Sequence, residues 1–298
     1  MKLYMITIVA LAVLLSACNQ QKQSTDEGSA ATAEQENEKP PVSLRLIWET
    51  EPTMTTCESV IYDEDNDVLY VSNINGAPDA KDGNGFISKV SIDGQVVEQS
   101  WVKGMDAPKG MGLHDAKLYV SDIDRVHEVD TKSGKITRTI PVAGAQFLND
   151  VAVEGGRVYI SDSRANAIYI IEDGKASAWV ENLQGPNGLF IDGSTMLVAL
   201  GGNQTINTLD PSSKHITQRT DGISSPDGIE AIGGDEYIVS SWQGAVYHID
   251  SDWNKTLLLD SRRDSVNTAD IGYVKSKNLL LVPTFFKNKV MAYEVVKE

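Results

Sequence analysis

From Ser43 onward the chain alternates short runs of β-branched and aromatic residues with clusters of Asn, Asp, Gly and Ser, and no helical period is sustained. One run recurs six times: Val68-Leu69-Tyr70-Val71-Ser72, Lys117-Leu118-Tyr119-Val120-Ser121, Arg157-Val158-Tyr159-Ile160-Ser161, Met196-Leu197-Val198-Ala199, Glu236-Tyr237-Ile238-Val239-Ser240 and Leu280-Leu281-Val282-Pro283. Its central position, taken as Tyr70, Tyr119, Tyr159, Leu197, Tyr237 and Leu281, returns about every 38 to 49 residues, the length of a four-stranded propeller blade. Each repeat continues into a further strand and hairpin, as in Val126-His127-Glu128-Val129-Asp130, Ser133-Gly134-Lys135 and Ile136-Thr137-Arg138-Thr139. The pattern predicts an all-β, six-bladed β-propeller over residues 43–298. The sixth repeat stops one strand short after Val290-Met291-Ala292-Tyr293-Glu294-Val295, and Leu44-Arg45-Leu46-Ile47-Trp48 precedes the first repeat without a blade of its own. Pairing the two closes the ring and removes two exposed sheet edges.

The N-terminus carries a different hydrophobic pattern. Lys2 is followed by an apolar run over residues 5–15, broken only by Thr7. It is too short to span a ~30 Å hydrocarbon core as a helix and fits the apolar region of a signal peptide. Leu15-Ser16-Ala17-Cys18 resembles the bacterial lipobox, which implies cleavage before Cys18, its lipidation, and an anchor in the cell envelope through that lipid alone. Asn19, rather than Asp, then favours the outer membrane in a diderm host. Residues 19–42 hold almost no large apolar side chain and end in Pro40-Pro41, so they read as a flexible acidic tether. With Cys18 lipidated, Cys57 has no internal disulfide partner.

Charge narrows the partners. Lys+Arg 26 against Asp+Glu 42 leaves a net charge of -16, which repels phosphate backbones and excludes nucleic acid as the expected partner. A cation in an acidic cavity suits the sign better. The four histidines form no constellation: His127 and His248 fall in strands, His215 in a turn, and His114 in a hairpin expected at the surface.

The start of each blade's innermost strand projects into a propeller's central channel. Counting back about ten residues from the reference position gives Lys109, Asn149, Asn187 and Asp227 in blades two to five. Blades one and six have longer hairpins, Asp63-Glu64-Asp65-Asn66 being the turn in blade one, and there the count gives Glu58 and Ala269. Glu58, Asn149, Asn187 and Asp227 are oxygen donors converging on one axis, a set that suits Ca²⁺, with Mn²⁺, Mg²⁺ or Zn²⁺ as alternatives. Each of Pro186-Asn187-Gly188 and Pro226-Asp227-Gly228 is also a turn tripeptide, and the shared register is what argues for ligands. Lys109 either stabilises an oxyanion or holds an anionic substrate, or it neutralises Glu58 or Asp270 and fills the channel. Asp150 and Asp270, one residue beyond the inward positions, are candidates for supporting the ring. The Gly/Asp-rich insert running from Asn75-Gly76 to Gly85 overhangs the channel mouth or is a mobile surface loop, the latter being the expectation.

Glu58-Ser59-Val60, Asn149-Asp150, Pro186-Asn187-Gly188-Leu189 and Pro226-Asp227-Gly228-Ile229 resemble the senescence marker protein/gluconolactonase/luciferin-regenerating-enzyme family and its calcium-dependent phosphotriesterase relatives, over about residues 43 to 298. The resemblance implies one divalent cation on Glu58, Asn149, Asn187 and Asp227, hydrolysis of lactones or organophosphate esters, and Asp227 as base or nucleophile. The chain departs from the family's usual Glu-Gly-Pro by reading Glu58-Ser59-Val60, and in placing Lys109 in the ring. A metal-dependent hydrolase of lactones or related esters, working as a monomer on a small-molecule substrate, is the leading expectation; a non-catalytic propeller that binds a ligand or protein is the alternative.

Overall fold

A computed structural model describes residues 42–297. Cys18 and the tether up to residue 41 lie outside the described residues. The chain forms six four-stranded antiparallel sheets, five of them built from consecutive strands. The sixth takes Gly272–Val274, Leu279–Pro283 and Val290–Lys297 and is completed by the N-terminal strand Val42–Glu49. That strand pairs from Val42 opposite Lys297 to Glu49 opposite Met291, so the ring is closed as its unpaired ends require. It begins one residue earlier than the expected tether boundary, because Val42 packs against Val295, Leu280 and Ile238 and is only 2% exposed.

The recurring strand sits second in each blade and is buried on both faces, as Val68–Asn73 and Tyr237–Ser241 are throughout. Its β-branched and aromatic side chains therefore fill two seams at once. Tyr70 packs with Met111, Leu118 and Val120 of blade two, while its neighbours Leu69 and Val71 pack with Leu279, Leu281 and Val290 of blade six. Tyr119 does the same toward Val151 and Ile160 of blade three, and Tyr159 toward Leu189 and Val198 of blade four. The core is thus a ring of inter-blade seams, and the outermost strands, such as Lys135–Pro141, are largely exposed.

In blade five the alignment shifts by one residue. Ile238, opposite Glu230, is the counterpart of Tyr119 opposite Gly112. Tyr237 instead donates its hydroxyl to Asp192 of blade four at 2.6 Å. The hairpin of blade five is one residue longer than those of blades two to four, so the count from Tyr237 still arrives at Asp227.

Candidate functional site

The innermost strands of blades one to five share an irregularity. Cys57 pairs with Asn73 and Val60 with Val71, so the inner strand gains one residue over its partner, and the same shift recurs at Pro108/Met111, Leu148/Val151, Pro186/Leu189 and Pro226/Ile229. These are β-bulges, which let two consecutive residues leave the alternation of a regular strand. The first bulge residues, Glu58, Lys109, Asn149, Asn187 and Asp227, line one cavity of about 280 Å³ at one end of the channel. Ser59 and Asp150, the second bulge residues of blades one and three, join Asp270 on a cavity of about 270 Å³ toward the other end. The five inward positions counted from the sequence thus share one cavity. Ala269 is fully buried and does not line the cavity.

Two elements of the repeat that carried no assignment hold this arrangement. The serine of the recurring strand fastens the bulge: Ser72, Ser161 and Ser240 accept the backbone N–H of Ser59, Asp150 and Gly228, each at 2.9 Å. Ser121 and Ser240 also donate to the carbonyls of Asn149 and Ala269 on the following blade. The aspartate after that serine fixes the loop leading to the inward residue. Asp122 accepts from the N–H groups of Asp106 and Ala107 and is oriented by His127 Nε2 at 3.0 Å. Asp162 does the same for Gln146 and Phe147.

Within the cavity Asn187 Nδ2 donates to Asp227 Oδ1 at 2.9 Å, and Asn149 Nδ2 donates to Ser163 Oγ at 3.3 Å. The buried oxygens Glu58 Oε2 and Asn187 Oδ1 have no hydrogen-bond partner. Buried polar atoms are ordinarily satisfied, so two orphans on one small cavity call for an explanation. Lys109 does not supply it. Its side chain is 1% exposed, its Nζ donates to the Ala107 carbonyl at 3.0 Å, and it lies 4.4 Å from the Phe147 ring centroid. Of the alternatives for Lys109, neutralisation of Glu58 or Asp270 is not realised by direct pairing.

The electrostatics follow from burial. Burial pushes Glu58 well above the usual carboxylate range, the Asp227 charge adds to this, and Lys109 opposes it. Asp227 is pushed up to about 8 by burial and the Asp150 charge, with Asn187 pulling the other way. Asp150 rises to about 6 through burial, offset by the N–H groups of Leu189 and Val151. Asp270, which accepts from Ser59 Oγ at 2.5 Å, is held well above its ordinary value by burial and by Asp150, Glu58 and Asp227. Burial lowers Lys109 to about 8. A cation among these groups would relieve both the desolvation and the mutual repulsion. Among the described residues no three Asp, Glu, His or Cys side chains cluster as metal ligands, so any cation here must draw on the amides as well as on the carboxylates. Two carboxylates and two amides, with one oxygen of Glu58 and one of Asn187 unsatisfied, fit a hard, oxygen-preferring cation.

This arrangement gives a pH prediction. Asp150, Asp227 and Asp270 keep their protons to higher pH when folded than when unfolded. The folded state therefore binds more protons than the unfolded chain between roughly pH 4 and 8, and stability must fall as pH rises through that window. With each unit of offset worth roughly 1.4 kcal/mol, chelator-treated protein should lose on the order of several kcal/mol between pH 5 and 8, about 10 °C in melting temperature. Millimolar calcium should recover most of this at pH 8 and little at pH 5. A melting temperature that is flat or rising with pH would contradict the assignment.

The blade-one insert lies over the mouth rather than apart from it. Ile74 and Pro78 line the cavity. Lys81 pairs with Asp124 of blade two, Arg164 of blade three reaches Asp79 at 3.1 Å, and Gly83 N–H donates to Asp106 at 3.0 Å.

No family model matches the chain, and no curated protein matches its sequence. Solved structures do match. A protein provisionally called a gluconolactonase superposes with a TM-score of 0.64 at 15% identity, covering 87% of this chain and 94% of that one. A catalytically inactive virginiamycin B lyase from Staphylococcus aureus with quinupristin gives 0.58 at 14% identity, over 86% of this chain and all of that one. A chain of a nidogen/laminin complex gives 0.60 at 16% identity, over 74% and 85%. The shared property is the fold. This chain is a six-bladed β-propeller. At these identities the likeness extends no further, and the chemistry rests on the ring of inward residues.

Proposed function

We propose that the chain is a metal-dependent hydrolase of lactones or related esters, displayed on the cell envelope through a lipidated Cys18. The observation that carries this reading is the pair of unsatisfied buried oxygens, Glu58 Oε2 and Asn187 Oδ1, on a cavity that also holds Asp227 and Lys109.

Glu58, Asn149, Asn187 and Asp227 are the residues that would hold the cation, Ca²⁺ by the donor set. When bound, it supplies Lewis-acid polarisation of the substrate carbonyl. Asp227 accepts a proton from the attacking water as the water oxygen bonds to the carbonyl carbon. Lys109, as an ammonium below its pKa of about 8, faces the negative charge that develops on the carbonyl oxygen. When the ring C–O bond breaks, the proton on Asp227 passes to the departing alkoxide. Phe147, Trp242 and Phe285 wall the cavity with apolar surface.

Elemental analysis of the purified protein should find about one equivalent of a divalent cation, and Glu58→Gln should remove most of it. Turnover on a panel of five- and six-membered lactones and aryl esters should vanish with chelator. Absence of any chelator-sensitive turnover across the panel would leave a ligand-binding propeller instead. For the anchor, cells fed labelled palmitate should label the wild-type chain and not Cys18→Ser; equal labelling would remove Cys18 as the lipid site.

A further inference from the structure

The expectation carried by the resemblance leaves open whether the lactone is a polyhydroxylated sugar acid or an apolar compound. The cavity itself discriminates. Its floor is polar and its walls are not. Once Glu58, Asn149, Asn187 and Asp227 are assigned to the cation, Lys109 and Ser225 are the polar side chains left on its lining. Ile74, Pro78, Phe147, Trp242 and Phe285 make the rest. At about 280 Å³ the cavity holds a volume equal to roughly nine waters. A sugar lactone buried there would leave most of its hydroxyls without partners, each costing roughly tenfold in affinity.

A second observation concerns the wall. Trp242, Phe285 and Phe286 form an aromatic cluster, with ring centroids 5.4, 6.1 and 4.7 Å apart. Phe286 is 62% exposed and carries the cluster from the buried Phe285 to the surface. Trp242 walls the inner cavity and, with Phe286, an outer groove of about 470 Å³. The groove's other side chains, Gln243, Arg262, Ser265, Asn267 and Lys287, are polar, so Trp242 and Phe286 form one apolar strip from the cavity wall out to solvent. The Trp242 backbone is fixed on both sides: its N–H donates to the Ser225 carbonyl at 3.0 Å, and its carbonyl accepts from Asn267 Nδ2 at 2.8 Å.

Resting on the hydrolase reading, we infer that the substrate is a lactone or ester with a compact apolar body and an alkyl or aryl tail, and that Trp242 is the residue that selects it. The tail leaves the cavity along Trp242 and Phe286, and the reacting carbonyl sits over the ring.

The test compares δ-nonalactone with δ-gluconolactone on the cation-loaded full chain. The expected result is a preference of about a hundredfold or more in kcat/KM for δ-nonalactone. Trp242→Ala should shrink that preference about tenfold, mainly through KM, and Trp242→Phe should restore most of it. Comparable or better turnover of δ-gluconolactone, or an unchanged preference in Trp242→Ala, overturns the inference while leaving the hydrolase reading intact. Calorimetry with the two corresponding lactams, which are not hydrolysed, separates the claims further. Tighter binding of the apolar lactam without turnover of either lactone sustains the ligand class and removes the hydrolase. Equal or tighter binding of the polyhydroxylated lactam, or binding of neither, overturns the class.

Discussion

Asp227→Asn is expected to lower kcat/KM on a responsive lactone by roughly a thousandfold or more, with the propeller still folded. Asp227 is 2% exposed, so the reacting water has few alternative bases at that depth. The amide keeps the size of the side chain and can still accept the Asn187 Nδ2 hydrogen bond, so packing is preserved. What it loses is the ability to take a proton and one negative charge toward the cation. General-base catalysis contributes typically 10²–10⁴-fold, and a weakened cation site adds to the loss. The check is a pH-stat assay with saturating calcium, beside circular dichroism to confirm the fold. Turnover within tenfold of wild type would place the base elsewhere, with Lys109 the next residue to replace.

Gly188→Ala should be among the most destabilising single substitutions in the chain. A Cβ at Gly188 would lie 1.8 Å from the Asp227 carbonyl oxygen and 2.9 Å from its carbon. Both atoms are backbone, so no flexible side chain can move aside. Blades four and five would have to separate at the ring, and the Asn187–Asp227 bond would go with them. The expected cost is roughly 3 kcal/mol or more, seen as a fall of about 10 °C in melting temperature. Cation content should fall as well. Gly193→Ala is the comparison: its Cβ would meet nothing within 4 Å, and its φ of +58 sets a penalty of about 1–2 kcal/mol. Equal losses for the two variants would show that close blade approach at the ring is not what Gly188 provides.

The blade count and closure were legible because both depend on hydrophobic period and strand number, which are local and repeated. The inward residues were legible because a hairpin of nearly constant length separates them from a recognisable strand. That same counting absorbed a one-residue error at Tyr237, because blade five's longer hairpin compensated for it. Asp150 was harder to place. A bulge exists only in the register between two strands, and no residue type in Asn149-Asp150 announces an extra position. Strict alternation would have turned Asp150 away from the axis; the bulge turns it in, onto the cavity at the channel's other end. The serines at 72, 121, 161 and 240 did leave a signal, since recurrence in four of six repeats marks a structural duty, but only the hydrogen bonds say which one. The insert at 75–85 could not be placed, because its polar sequence suits a free loop as well as one pinned by Lys81 and Asp79.

The clasp between the first and last strands also sets an order of events. Val42 finds its partner in Lys297, at the far end of the described chain, so this pairing is the most non-local among the described residues. Contacts so distant in sequence form late, after the intervening chain has given up its freedom. Five blades can assemble from neighbouring strands as they emerge, but blade six must wait for Val42–Glu49 to meet Val290–Lys297. Until then blade six keeps the open edge of Val290–Lys297 beside an incomplete seam, and this interval is when the protein is most exposed to mispairing with another chain.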